Sequence, residues 1–267
     1  MSAMETDVIE RQTGQPFFER AGDGFVPQPV CAGPWDPKSL HGRVVAGLLA
    51  AEIERNHGDD ALIPARLTVD LYRLPDFSPM RVTTEVIREG RRIRVVAAEI
   101  WSGDRSAGRA TCQLLRKGGE ARGKVWARDN WDVPMPAGIA APAAGALGGM
   151  WHTRPIAGAM GDSGPRRCWI SEARELIAGE ALTPWQRVAL AADFASPFAN
   201  AGDNGLGFIN TDITLYLHRL PRTEWIGFEV ANHQSADGVA NGECYLYDET
   251  GPIGSSSVAA LAQNREA

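Results

Sequence analysis

The sequence predicts an α+β fold made of two tandem copies of one unit, each an antiparallel sheet curled around a single apolar helix. Three observations predict it: an internal echo at a constant offset, an almost wholly apolar helical stretch ahead of each copy, and a Pro/Gly/Ala-rich segment between the copies. The echo is Leu71-Tyr72-Arg73-Leu74-Pro75 against Leu217-His218-Arg219-Leu220-Pro221, an offset of 146 residues that Gly108 and Gly254 share. After each copy the chain reads as a meander of short apolar runs separated by Gly/Asp turns, the pattern of antiparallel strands.

Taken in order, residues 1–24 read as a loose terminus with one initial strand. Residues 43–53 (RVVAGLLAAEI) are apolar nearly all the way round, and a helix without a polar face is one buried on most sides. Strands follow over the LYRLP segment, 82–87, 93–101 and 107–115, with turns at Glu89-Gly90 and Ser102-Gly103-Asp104. Residues 134–149 are Pro, Gly or Ala except Met135, Ile139 and Leu147, a linker by composition. The second copy opens near Trp151, and its helix is expected over 183–195. Thr183 suits the N-cap, Pro184 suits the first helical position, and Pro197 limits the run. Strands over 225–230, 239–247 and 253–261 complete the echo, with turns at Ala236-Asp237-Gly238 and 248–252. A central apolar helix wrapped by an antiparallel sheet is the hot-dog architecture, and two copies in one chain make a double hot dog. The expected boundaries are an N-terminal repeat over 10–118, a linker over 119–150 and a C-terminal repeat over 151–265.

Composition narrows the function classes. The 267 residues are 44% hydrophobic and 22% charged, the balance of a globular protein rather than a disordered one. A net charge of −6 disfavours a nucleic-acid partner, which needs a basic surface. The longest apolar stretch is interrupted by Gly47, Glu52 and Glu54, short of the ~20 residues that span a bilayer, so no membrane insertion is expected. The N-terminus has early acids and no apolar core of a secretory signal, which points to a cytoplasmic protein. Cys31, Cys112, Cys168 and Cys244 are scattered with no CxxC and read as four reduced, buried thiols. The five histidines form no ligand pair, so neither a metal nor another cofactor is expected.

The order Gly33-Pro34-Trp35-Asp36-Pro37, His41-Gly42, the LYRLP strand, Ala191-Ala192-Asp193-Phe194 and Phe208-Ile209-Asn210-Thr211-Asp212 with His218-Arg219 resembles the thioesterase superfamily. More narrowly, it is similar to single-chain double hot-dog acyl-CoA thioesterases of the bacterial type II class and their actinobacterial relatives. The resemblance spans roughly residues 10–263 and implies hydrolysis of an acyl-CoA thioester to free acid and CoA. It implies an Asp–Thr–Gln constellation in the C-terminal repeat, which holds and activates a water. The Asp falls on Asp193, the sole carboxylate of an otherwise apolar helix, where a charge needs partners or a raised pKa. The first repeat has no acid at the matching position near Gly47, so one active site per chain is expected. The Thr falls on Asn210 by alignment, while strand alternation aims Thr211 at the helix instead, unless a bulge reverses the phase. The Gln has no counterpart: Val258 or Ala259 stands in its place, and neither side chain bonds a water. The oxyanion role would fall on backbone N–H groups near Gly42 and Arg43 at the start of the first helix. His41 either donates to substrate or caps that helix.

Other features are discounted. Arg91-Arg92 and Arg166-Arg167 read as solvated turn charges rather than anchors for CoA phosphates. Trp35, Trp151, Trp169 and Trp185 read as core or interface packing. The echoed Arg73 and Arg219 suggest a structural task such as an ion pair. No GxSxG elbow is present. Two alternatives to hydrolysis stand: a weakened or non-catalytic binder of acyl-CoA or a similar hydrophobic ligand, motivated by the missing Gln, and a hot-dog hydratase. The hydratase ranks last because no Asp–His pair lies near either helix in the sequence. A homo-oligomer, a dimer or larger, is expected because hot-dog sheets tend to pair at exposed edges.

Overall fold

The computed structural model describes residues 14–142, 150–162 and 164–263. Residues 10–13, 143–149, 163 and 264–265, inside the expected boundaries, lie outside the described residues. The first repeat comprises β1 (Phe18–Ala21), β2 (Gly24–Pro27), α1 (Gly42–His57), β3 (Leu62–Leu71), β4 (Met80–Glu89), β5 (Ile93–Ser102) and β6 (Arg105–Arg116). The second comprises β7 (His152–Ala157), β8 (Arg167–Ser171), α2 (Pro184–Ala192), α3 (Ala195–Asn200) and the short β9 (Ala201–Gly202) and β10 (Gly205–Leu206). Then follow β11 (Phe208–Asn210), β12 (Asp212–Leu217), β13 (Ile226–Ala236), β14 (Val239–Asp248) and β15 (Gly251–Ala262).

The apolar helices lie where their composition requires. Every residue of α1 from Arg43 to Ile53 is buried. Thr183 caps α2 by accepting from the amide of Gln186, and Pro184 takes the first helical position. The second helix departs from expectation in one respect. It ends at Ala192, and the chain turns through Asp193 and Phe194 and resumes as α3. Pro197 therefore does not end a helix; it sits in the first turn of a new one, where its missing N–H has no intrahelical role.

Among the described residues thirteen strands form one antiparallel sheet in the order β1-β2-β4-β5-β6-β3-β12-β15-β14-β13-β8-β7, with β11 also on β15, while β9 and β10 pair separately. The two repeats join at β3 and β12, which end at Leu71 and Leu217, so the echoed LYRLP and LHRLP segments leave the sheet as irregular chain rather than forming the expected strand. There Thr68 faces Thr214, its counterpart 146 residues on, with their hydroxyls 3.4 Å apart. A residue opposite its own repeat image marks a local two-fold axis, and the helices obey it by packing antiparallel. Their close approach is set by Gly47, where a Cβ would lie 2.7 Å from Leu190 Cδ2. The outer edge of β1 is covered by the second repeat: Phe18 bridges Ile177, and the Ala178 amide donates to the Phe18 carbonyl at 2.9 Å.

The described part of the linker around Trp131 packs on the second repeat. Trp131 stacks on Tyr247 with ring centroids 4.1 Å apart, meets Trp169 edge-on, and donates from Nε1 to Glu229. All four cysteines are buried and none forms a disulfide. Arg219 does form an ion pair, donating from both terminal nitrogens to Asp248 at 2.6 and 2.8 Å. Among the described residues Arg73 has no such partner; it lies exposed beside a cavity instead, so the echoed arginines sit in different surroundings.

Asp248 is also fixed by the Arg222 and Thr250 amides and the Thr250 hydroxyl. Burial pushes its carboxyl up, but Arg219 and these donors outweigh it and hold the group far below the usual carboxylate range. A depressed native pKa contributes stability above the unfolded value of ~3.9 and loses it as pH falls toward the native one. Urea unfolding should therefore show stability declining from about pH 5 downward. Arg219→Ala should flatten that decline while lowering stability at pH 7.

Candidate active site

His41, Asp193 and Asn210 meet at the end of the helix pair where α1 begins and α2 stops. His41 reaches this point by local turn chemistry. Asp36 accepts from the amide of Lys38, Ser39 donates back to Asp36, and the Ser39 carbonyl takes the Gly33 amide at 2.8 Å. The Leu40 amide then donates to Pro75 at the end of the echoed strand, and the His41 amide to Cys31, both at 2.8 Å. This fixes His41 as the N-cap of α1. Asp193 is set by the bend between α2 and α3, and the preceding Ala192 carbonyl is satisfied by the buried Ser256 hydroxyl at 2.8 Å. Asn210 ends β11, just before the chain breaks at Thr211 and resumes as β12.

The Asp193 carboxylate is 3% exposed and engaged on both oxygens. Oδ2 lies 3.0 Å from His41 Nδ1, and Oδ1 accepts from Asn210 Nδ2 at 3.0 Å. Burial pushes this carboxyl up, but His41, Asn210 and the nearby Arg43 charge outweigh it and hold the group below its ordinary value. The amino end of α1 acts in the same direction, since a helix N-terminus favours an anion. Gly42 brings that end close: a Cβ there would lie 2.9 Å from Asp193 Oδ1 and 3.2 Å from Oδ2. As the first helical residue, Gly42 has an N–H with no carbonyl a turn earlier in its helix to bond.

His41 Nδ1 has two neighbours, Asp193 Oδ2 and the Arg43 amide at 3.3 Å. With one hydrogen on Nδ1, the atom donates to the carboxylate and cannot also accept from Arg43. The anionic partner and the shorter distance favour that arrangement. The Arg43 side chain turns away from the site. Its guanidinium is buried between the Phe17 and Trp151 rings and donates to Glu172 at 2.9 Å and to the Met150 carbonyl at 2.7 Å. Arg174 donates to the other oxygen of Glu172 at 3.0 Å. Burial lowers the Arg43 pKa to about 10, with Glu172 acting to restore it.

Of the two candidates for the Thr position, Asn210 bonds Asp193. Thr211 lies in the break between strands, is exposed, and donates its hydroxyl to the Ala259 carbonyl at 3.4 Å. The expected alternation holds for Ile213, Leu215 and Leu217, all buried, but reverses across that break. Val258 is buried in the core, and Ala259 carries backbone bonds: its amide donates to Asp212 at 2.6 Å and its carbonyl accepts from the Thr211 amide at 2.9 Å. Neither extends a polar side chain toward Asp193. Arg166 is buried and donates to the Ala199 and Ala201 carbonyls at the end of α3, and Arg167 is paired with Glu229.

A cavity of about 290 Å³ opens onto Asp193, His41 and Gly42. Its walls are mainly apolar, including Trp35, Leu71, Trp151, Phe194 and Ile209, and the exposed Arg73 adjoins it. Trp35 and Trp151 thus line the cavity as well as packing, whereas Trp185 is buried between the helices and donates to the Ala50 carbonyl. The contact between His41 and Asp193 corrects the expectation that no Asp–His pair exists. The two residues lie in different repeats, and nothing in the local sequence of either announces the other. Among the described residues no group of three or more His, Cys, Asp or Glu is placed to hold a metal ion, and no helix is long and apolar enough to cross a membrane.

At the opposite end of the helix pair, Glu54 of α1 accepts from the Thr183 hydroxyl at 2.8 Å and from Gln186 at 3.1 Å. Burial is the main influence on its carboxyl and raises it. A carboxylate near the end of one helix thus meets the cap of the other at both ends, with different residues.

Sequence profiles decide the family. The acyl-CoA thioesterase C-terminal domain matches residues 127–261, and the acyl-CoA thioesterase N-terminal domain matches residues 31–115. This chain belongs to the acyl-CoA thioesterase family. Solved structures agree in fold across the whole length. A TesB protein from Mycobacterium avium subsp. paratuberculosis is 16% identical, with a TM-score of 0.67 over 97% of this chain and 99% of that one. A hot-dog protein of unknown function from Alicyclobacillus acidocaldarius is 15% identical, with a TM-score of 0.71 over 96% of this chain and 98% of that one. The acyl-CoA thioesterase II TesB2 from Mycobacterium marinum is 13% identical, with a TM-score of 0.63 over 97% of this chain and 99% of that one. No curated protein sequence matches the chain. The fold of this family member is a double hot dog of the TesB type.

The Gly42 contact gives a direct test of the candidate site. Gly42→Ala should place a methyl against the Asp193 carboxylate and displace it from His41 and Asn210. Activity on acyl-CoA should fall at least tenfold while the thermal midpoint changes by no more than a few degrees, as read by thiol release and calorimetry.

Proposed function

We propose that the chain hydrolyses the thioester of an acyl-CoA with a hydrophobic acyl group, using water activated at the Asp193 end of the helix pair. The observation that carries this reading is a buried, doubly hydrogen-bonded carboxylate at an apolar cavity, against the amino end of α1. Asn210 keeps Asp193 in place. The Gly42 amide is the candidate donor to the oxygen that becomes negative as water adds to the carbonyl; one such donor is worth roughly 10²–10³-fold. Trp35, Leu71 and Trp151 offer the acyl chain an apolar wall.

A second reading is favoured by Val258 and Ala259. With no carboxamide at that position, the chain would bind an acyl-CoA without turning it over. One experiment separates the two. The protein is given acyl-CoAs from short to long, and free thiol is followed with a colour reagent while binding is measured by calorimetry. Thiol release supports the hydrolase; tight binding without release supports the binding protein.

A further inference from the structure

We propose that the atom that takes the proton from the attacking water is His41 Nε2, with Asp193 as the group that orients the imidazole and fixes its tautomer. This deepens the hydrolase reading and rests on it.

Three features of the site lead there. First, Asp193 is poorly placed to act as the base itself. Both of its oxygens are engaged, one by His41 and one by Asn210, and the carboxylate is pressed against Gly42. Second, the His41 ring has one nitrogen committed and one available. Nδ1 faces Asp193, while Nε2 has no hydrogen-bond partner among the described residues, and the ring lines the cavity. Third, the pairing selects the useful tautomer. An Nδ1–H donated to Asp193 leaves the lone pair on Nε2, and a base held by a third group is the arrangement that activates a weak nucleophile. Backbone bonds to Cys31 and from Val44 fix the cap residue itself.

The step balances without any further reactant. Nε2 accepts a proton from water as the oxygen forms a bond to the thioester carbonyl carbon. The carbonyl electrons move to its oxygen, which faces the Gly42 amide. Collapse restores the carbonyl and breaks the C–S bond, and the proton on Nε2 passes to the leaving sulfur. The products are the carboxylic acid and CoA thiol. The imidazolium formed in between is stabilised by Asp193.

Asp193 is the charged group in contact with the His41 ring, and the other charged and titratable groups around the site belong to several elements. Asp193 follows α2, and Arg43 of α1 carries its charge into Glu172 and Arg174. Arg73 follows β3, and the buried Cys31 thiol precedes the cap. Asp212 of β12 accepts from the Ala259 amide.

The test uses His41→Asn and His41→Gln in the full chain, with the pH dependence of kcat/KM. Asn can still donate to Asp193, so it preserves that contact while removing the ring that carries Nε2. Both variants should fall roughly 10²–10⁴-fold at neutral pH, with KM within a few-fold and an unchanged thermal midpoint, and should lose the acid-side fall of kcat/KM that the wild type shows. In ¹⁵N-labelled protein, His41 should show a proton on Nδ1 and a bare Nε2 at neutral pH, and Asp193→Asn should abolish that signature. Wild-type pH dependence or rescue in His41→Asn would overturn this assignment and leave the hydrolase reading intact. Absence of thiol release by the wild type on every acyl-CoA would overturn both.

Discussion

Asp193→Asn should reduce acyl-CoA hydrolysis by about 10²–10⁴-fold while leaving the fold intact. The exchange is nearly isosteric, and the carboxamide oxygen can still accept from Asn210. What changes is the side facing His41. An amide nitrogen there donates to Nδ1, whereas the carboxylate accepts from it. The imidazole is then forced into the opposite tautomer, with hydrogen on Nε2 and no lone pair toward the cavity. Substrate affinity should persist, because the apolar walls are untouched. Thiol release under saturating substrate, compared with direct binding, reads the two effects separately. Equal rates in wild type and variant would show that Asp193 takes no part.

Glu172→Ala should be the most destabilising single exchange near the site. Glu172 is buried between two buried arginines, donated to by Arg43 on one oxygen and Arg174 on the other. Removing it takes the counter-charge from the fully buried Arg43 and one carboxylate partner from Arg174, in a place water does not reach. Breaking a buried ion pair in this way costs about 3–5 kcal/mol, or roughly 6–20 °C in the thermal midpoint of a chain this size. Arg43 also stacks on Phe17 and Trp151, so its displacement spreads to the aromatic packing beside the cavity. Replacing Arg43, Glu172 and Arg174 together with apolar residues of similar volume should restore most of the loss, because no charge is then stranded. Denaturant unfolding of the single and triple variants checks both statements.

The repeat architecture was legible because it is written as local pattern. The LYRLP and LHRLP segments, the Gly/Asp turns and the two apolar helices need no tertiary knowledge to be recognised, and β4, β5, β6, β14 and β15 fall close to the expected ranges, while β13 runs on past its expected end to Ala236. The break of α2 at Asp193 was not legible, because Pro197 reads equally as the end of one helix and the first turn of the next. Asp193 stood out as an acid in an apolar run. Its partner His41 did not, since a cap position explains a histidine before a helix without further appeal. The buried triad of Arg43, Glu172 and Arg174 was likewise hidden: Arg43 stands at the edge of an apolar helix, Glu172 and Arg174 come from a polar-looking stretch, and only packing against the linker end at Met150 encloses them. The choice between Asn210 and Thr211 turned on a strand break whose cause lies in β15, where Asp212 grips the Ala259 amide.

The local two-fold axis between Thr68 and Thr214 gives the two ends of the helix pair related frames and unrelated contents. A symmetric dimer of single repeats would receive every substitution twice, once in each mouth. The fused chain receives it once. His41 and Asp193 can therefore specialise without forcing the same chemistry on the end that holds Glu54, Thr183 and Gln186, and selection can retune either mouth while the other keeps the halves together.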